Sequence, residues 1–495
     1  MVLLGAIDQG TSSSRFLIFE SDTGQLLASH QIEVRQQFPE SGYVEMCPKE
    51  IFETTVACIA GACEELKTKH GIEPENIRAV GITNQRETTI IWDRNTREPL
   101  YNAIVWLDSR THDLANKYMK KVDESLNVSS SAAKRSCQNH FKSKTGLPIH
   151  PYFTALKLRW LLDNVPAAQK SLSEGTLMVG TVDTWLIWNL LGEYITDVTN
   201  ASRTLLMDLH ERQWSSEMCE FFEIPIGILP RIRSSAEIYG YMKDGPLKCT
   251  PLAGCLGDQQ SSLLGHGCLQ AGEAKNTYGT GTFMLCNTGK KALVSGYGLL
   301  TTIAYQFGLD SPPIMLSKEI EQLAASVENT EDVYFVPCFA GLYTPQWDPT
   351  ARGIICGLTQ SATRAHIALA ALKAVAFQTV EMLEAIQKDM VDIKIASLRA
   401  DGGMTQNKLF NKLQANSMGI PMECSKMAEI SGWGAALAAG IGIGEIDYQS
   451  LGEILRQRRP HSMDTYEPAS EENERNREFE QWLEAVRRSK GWAHA

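Results

Sequence analysis

No C-x-x-C pair joins any of the twelve cysteines, which argues against zinc ribbons and thioredoxin-type chemistry. No Walker A sequence is present, so the P-loop fold is excluded. No G-x-G-x-x-G opens a βαβ unit either; GIGIG (440–444) follows a helical pattern rather than a strand. Positive charge is short: 47 Lys and Arg against 58 Asp and Glu leave a net charge of −11. Without a long basic run, nucleic acid and acidic membrane surfaces are not expected as partners. No apolar run reaches spanning length; the nearest, GAALAAGIGIG (434–444), is short and glycine-rich, so no transmembrane segment is expected. The residues before Asp8 lack the positive start of a secretory signal. The cysteines are therefore expected to be reduced thiols, mostly small core hydrophobes, in a cytoplasmic protein. The sequons at Asn127 and Asn200 then read as chance matches.

What is present describes an ordinary globular chain, 43% hydrophobic and 21% charged, whose 495 residues favour two large domains. VLLGAID (2–8) and RFLIFES (15–21) read as paired strands, and AVGITNQRETTIIWD (79–93) as strand, polar loop and strand. The stretch from Pro48 to Gly71 has helical spacing and ends on glycine. Strands followed by βα units predict an α/β layered domain. The Ser- and Lys-rich stretch 120–144 lacks a sustained period and is expected to be an exposed, mobile insertion. The second half opens with an apolar run into a polar turn, CTPLAGCLGDQQ (249–260). Residues 364–390 follow as a long helix, and IASLRADGGMTQN (395–407) as strand, glycine turn and helix start. The expected domains are 1–252 and 253–495.

Two stretches share a logic. IDQGTSSSR (7–15) and NTYGTGTF (276–283) are each a strand, a tight turn of glycine and hydroxyl residues, and a returning apolar strand. Either alone could be a plain hairpin tip, since Asp, Gly and Ser are common turn residues. Paired, one per half and followed by the DGG turn (401–403), they point to a clamp in which turn amides and hydroxyls donate to a polyphosphate. A base is then needed beside the acceptor. Asp258 in LGDQQ is the candidate, equally readable as a helix cap. Arg86 and Glu87 in NQRET could grip small hydroxyl groups, or form an inconsequential surface pair. Trp106 in AIVWLDSR could wall the same region or simply fill the core.

Taken together, these residues resemble the FGGY carbohydrate kinases, within the actin, sugar kinase and Hsp70 superfamily, over nearly the whole chain. YFTALKLRWL (152–161) satisfies the family's first signature, and GIICGLTQSATRAHIALAALK (353–373) follows the second except at Lys373. NQRET, AIVW, GTVDTWLIW (180–188), TNASRT (199–204), GDQQ and NTYGTG resemble its glycerol-specific branch. The resemblance implies two ribonuclease-H-like (actin-like ATPase) domains around a central cleft. It implies ATP-dependent phosphorylation of glycerol to glycerol 3-phosphate, with ATP and Mg2+ as cofactors and a homo-oligomer, dimer or tetramer. Asp8 would organise the magnesium ion, and Thr11, Ser12, Arg15 and Thr280 the nucleotide phosphates; Gly403 and Asn407 would lie by the adenosine. Glycerol would be held by Arg86, Glu87, Tyr152, Asp258 and Gln259, with Trp106 and Phe283 against its carbons and Asp258 as general base. An actin- or Hsp70-like ATPase would share the hairpins but leave NQRET, Tyr152 and the Asp258–Gln259 pair unexplained.

The chain departs from the family pattern after GLLTT (298–302). A strand and a helix of the family, roughly two dozen residues, are missing after residue 312. Gln346 stands where an aromatic is usual and Trp433 where a Leu is usual, which suggests relaxed constraints on the nucleotide domain. These departures keep open a second reading: an impaired paralogue or splice variant that binds glycerol without turning over.

Overall fold

The computed structural model describes residues 1–126, 137–278, 282–308, 314–316, 332–338, 341–342, 344–348, 350–453, 455 and 463–492. They divide into unit 1 (Met1–Gly265, Thr302–Ile314, Ser431–Leu451) and unit 2 (His266–Thr301, Met315–Ile430, Gly452–Ala495).

In unit 1 the strand Leu3–Gln9 is buried at every position, as an apolar run covered on both faces must be. It pairs antiparallel with Ser13–Glu20 and parallel with Ile77–Asn84, which in turn pairs parallel with Pro251–Gly257. Leu26–Glu33 and Ala236–Tyr241 add antiparallel edges to make six strands. The parallel register sets Gln9 opposite Asn84, and Asn84 opposite Gly257. Three strands therefore end level, and Gly10, Gln85 to Glu87 and Asp258 all leave from one carboxyl edge. Open α/β sheets bind ligands at that edge. Helix Pro48–His70 packs on this sheet, started by proline in its first turn and stopped by Gly71 at φ 65°.

The expected boundary at 252 falls inside Pro251–Gly257, whose ladder to Ile77–Asn84 keeps residues 253–265 with unit 1. The small-residue stretch near the end of the chain also belongs to this unit. Helix Ile430–Gly442 lies on the central strands at their glycines: a Cβ at Gly81 would sit 2.1 Å from the Ala435 carbonyl oxygen, and one at Gly254 2.5 Å from the Ala439 nitrogen. Trp433, on this helix, is buried in unit 1 with its ring 5.4 Å from that of Phe19, so it packs against this sheet and marks no loosening of the nucleotide domain.

Unit 2 repeats the strand logic. Ala274–Tyr278 pairs antiparallel with Thr282–Cys286 and parallel with Leu398–Asp401, followed by Met422–Ser425 and Met463–Tyr466. Helix Arg364–Asp389 supplies Leu372, Val375, Phe377, Met382 and Ile386 to its cores. Its stretch His366–Asp389 is long and apolar enough to cross a membrane, contrary to the expectation that no run is; with 56% of its most apolar 18-residue window buried inside the protein, it has the character of a core helix. Lys373, the departure from the second signature, pairs with Glu478 at 2.6 Å. Gln346 likewise has a local role, accepting from Lys490 Nζ at 2.6 Å and donating to Glu381.

The stretch 120–144 differs from the expected loop. Helix His112–Leu126 runs into it, and from Cys137 the chain packs again, with Phe141 buried 4.8 Å from the Phe221 ring. Serine and lysine content hid these anchors; residues 127–136, with the sequon Asn127, lie outside the described residues. Asn200 is fully buried. All twelve cysteines are free thiols, nine of them buried.

Candidate active site

At the hairpin of unit 1, Asp8 and Arg15 face each other across the ladder and pair at 3.3 Å. Thr11 Oγ1 accepts from Trp106 Nε1 at 3.0 Å, which ties the hairpin tip to the AIVW stretch; Ser12 is exposed. Trp106 stands edge-on to Tyr152, ring centroids 5.7 Å apart. Tyr152 precedes helix Thr154–Asn164, and its backbone is pinned by Lys157, whose Nζ donates to the carbonyls of Pro151 (3.2 Å) and Tyr152. Burial pulls the fully enclosed Lys157 ammonium down to about 7.

The polar centre lies beside this wall. Arg86 Nε meets Asp258 Oδ1 at 2.7 Å, and Gln259 N–H donates to the same oxygen at 2.8 Å. The Arg86 side chain is 2% exposed and that of Asp258 26%, so the carboxylate is the accessible partner. Burial alone would lower the Arg86 pKa; the carboxylates of Asp258 and Glu87 outweigh it and hold it above the ordinary value. Burial raises Tyr152, and the neighbouring Glu87 charge adds to that. Glu87 sits at φ 59°, a left-handed conformation rare for a residue with a side chain, in a loop at the strand edge. Its carboxylate is engaged by Arg203 Nε, both side chains being 1% exposed. Asp258 opens helix Asp258–Gly265 directly after its strand, so the polar turn expected there is a helical first turn.

Of the expected residues in unit 1, the fold thus brings Arg86, Glu87, Asp258 and Gln259 together, and Trp106 with Tyr152 and Thr11. In unit 2, Phe283 pairs across the hairpin with Thr277. Gly403 begins a short 3-10 helix, and Asn407 caps helix Lys408–Met418 by accepting from Leu409 and Phe410 N–H. The preceding Gly402, at φ 93°, admits no side chain: a Cβ would lie 2.2 Å from the Tyr278 carbonyl oxygen. Thr280 lies outside the described residues, as does the position after residue 312 where the missing segment was placed.

Sequence reasoning assigned no role to Arg203, Lys157, or the buried acids Asp183 and Asp197. All four stand inside quoted motifs or within two residues of one, but Arg203 meets a partner distant in sequence, and the contacts of Lys157, Asp183 and Asp197 leave no hydrophobic period to read. Burial first, then the Asp183 charge, pushes Asp197 up to about 7, and burial raises Asp183. Between the unfolded carboxylate value of about 4 and about 7, the native chain binds more protons than the unfolded one. The pair's contribution to stability is greatest below that range and falls as pH rises through it. Asp183→Asn, which removes one of the two like charges, is expected to shrink the drop in thermal midpoint between about pH 5 and about pH 8; an unchanged drop would contradict this.

The N-terminal domain of the FGGY family of carbohydrate kinases matches residues 3–265, and its C-terminal domain residues 274–443. The "Probable glycerol kinase" of Caenorhabditis elegans is 54% identical over 518 aligned residues, covering 100% of both chains. The glycerol kinase of Brucella anthropi is 46% identical, covering 99% of each. Among solved structures, Plasmodium falciparum glycerol kinase with ADP aligns with a TM-score of 0.86 at 35% identity, over 99% of this chain and 98% of that one. A gluconate kinase from Lactobacillus acidophilus, 19% identical with a TM-score of 0.81, shares the fold. With both domain models matched in order and relatives aligned end to end, this chain belongs to the FGGY family of carbohydrate kinases and has their two-domain, actin-like ATPase fold.

Proposed function

We propose that this kinase transfers the γ-phosphoryl group of ATP to a terminal hydroxyl of glycerol, giving glycerol 3-phosphate and ADP. The observation that carries the reading is the accessible Asp258 carboxylate, held by a buried Arg86 beside Glu87 at the carboxyl edge of the sheet. The names of the relatives aligned end to end support the same substrate.

An alcohol is a weak nucleophile, so its proton must leave as its oxygen attacks. Asp258 Oδ1 is occupied by Arg86 and Gln259 N–H, while Oδ2 carries a longer 3.5 Å contact from Gln259 Nε2. We assign the proton to Oδ2. The hydroxyl oxygen bonds to the γ-phosphorus, the bond to the β–γ bridging oxygen breaks, and ADP leaves. Arg86, Glu87 and Tyr152 hold the remaining hydroxyls, and Trp106 shields the carbons, presenting one terminal hydroxyl. Asp8 offers the hard carboxylate oxygen that magnesium takes, usually with phosphate oxygens completing the shell, so the residue fits that ion. Bound there, magnesium would neutralise phosphate charge. Thr11, Ser12 and Arg15 serve the phosphates; Phe283, Gly403, Asn407 and Thr280 enter the proposal on the resemblance alone.

One observation favours a second reading. The match to the C. elegans protein extends over 518 aligned residues against the 495 here, so at least 23 positions have no residue of this chain opposite them. A chain shortened in this way could bind glycerol and not turn over. A coupled ADP-release assay, with and without glycerol, separates the two. Glycerol-dependent release that disappears in Asp258→Ala supports phosphotransfer; glycerol binding with no release supports the second reading and overturns the first.

A further inference from the structure

We propose that the segment Asp197–Arg203 is a clasp that fastens the strand ends carrying Arg86, Glu87 and Asp258, with Thr199 a positioning residue for Asp258; this rests on the phosphotransfer reading above. Three attachments define it. Gly257 N–H, next to Asp258, donates to Thr199 Oγ1 at 2.9 Å, and the Thr199 hydroxyl in turn donates a hydrogen bond to Asp197 Oδ1 at 2.9 Å. Asn200 and Asn84 exchange amide hydrogen bonds at 3.0 and 3.1 Å, holding the last residue of Ile77–Asn84 just ahead of Arg86. Arg203 reaches Glu87. Thr199, Asn200 and Asn84 are fully buried, so no water substitutes for a lost partner.

The anchor is Asp197. Its Oδ1 accepts from Thr199 Oγ1, Asn200 N and Asn200 Nδ2, each at 2.9 Å. Its Oδ2 accepts from Thr199 N at 2.9 Å and Ser235 Oγ at 3.0 Å. With Asp183 and Cys255 it forms the one group among the described residues whose ligand atoms are close enough to hold a metal, all within 4.8 Å. Five donors already fill Asp197, and Asp183 takes Thr196 Oγ1 at 2.6 Å and Asp197 N–H at 3.2 Å. Saturated in this way, the acids serve as an acceptor hub for the clasp, and a cation would have to displace these buried donors.

The full chain tests this. Thr199→Val removes the hydroxyl at nearly constant shape, and Thr199→Ser keeps it. A displacement of about 1 Å at a reacting group can cost ~100-fold, so the valine variant is expected to lose about 10- to 100-fold in kcat. Its KM for ATP should stay near wild type, and amide exchange at Gly257 should speed up; the serine variant should restore both. Wild-type kcat in the valine variant, or equal losses in both variants, would overturn the clasp. Should the valine variant not fold, Asn200→Ala cuts the Asn84 attachment: lower kcat at unchanged KM for ATP supports the proposal, and unchanged kcat overturns it. Should the wild type show no glycerol-dependent turnover, the phosphotransfer reading fails, and Gly257 exchange alone decides the clasp. Faster exchange in the valine but not the serine variant upholds it, and no difference defeats it.

Discussion

Asp258→Asn is expected to lower glycerol-dependent kcat by about 1,000-fold, within the 10²–10⁴ range that a positioned general base contributes. The amide keeps the volume and an oxygen that can still accept from Gln259 N–H and face the Arg86 guanidinium. It cannot take the proton of the attacking hydroxyl. The KM for glycerol should rise far less, by no more than about ten-fold, because in the proposed mechanism Arg86, Glu87 and Tyr152 would still hold the substrate and a group acting in the transition state leaves ground-state binding largely intact. The measurement is steady-state ADP release against glycerol concentration, with circular dichroism to confirm folding. That control is needed because Arg86 is 2% exposed and loses one of its two neighbouring carboxylates. A kcat loss below about ten-fold would take the base role away from Asp258, since general bases rarely contribute so little.

The features that carry this prediction were unevenly legible in the sequence. Asp8, Arg15 and the hairpin around them could be read because strand, turn and strand lie within a dozen residues, and the same local pattern recurs at Tyr278 and Phe283 in the strands of unit 2. The role of Asp258 as base or cap was left open by pattern alone, and the structure shows why: it is the first residue of a helix and also the partner of Arg86. What could not be read is long-range. Thr199 meets Gly257 across 58 residues, and Glu87 meets Arg203 across 116. Nothing in a local hydrophobic period encodes such pairings. Similarly, the small residues of 434–444 announce close packing, but only the sheet glycines Gly81 and Gly254 say against what. The stretch 120–144 was misread because composition outweighed two anchors, Cys137 and Phe141, that become visible only when their neighbours do.

Arg203→Met is expected to cost about 3–5 kcal/mol of stability, the scale for breaking a buried ion pair by removing one partner. Arg203 and Glu87 are each 1% exposed, so the carboxylate left behind has no water to turn to. The aromatic faces of Tyr152 and Phe153, 5.6 and 5.4 Å from the guanidinium carbon, also lose a cation that they partly stabilise. Methionine is the right replacement because its unbranched chain fills the space of the arginine stem without adding a charge. In urea, the variant should unfold at a clearly lower midpoint. The double variant Glu87→Gln/Arg203→Met should recover much of the loss, because burying two neutral groups removes the uncompensated charge that makes the single change expensive. A single variant within about 1 kcal/mol of wild type would mean that Glu87 finds another donor, and the pair would then not be what holds the Glu87 loop. Recovery in the double variant without recovery of glycerol affinity would separate the two duties of Glu87. Its charge would then be required by the substrate, and Arg203 would be required by the burial of that charge.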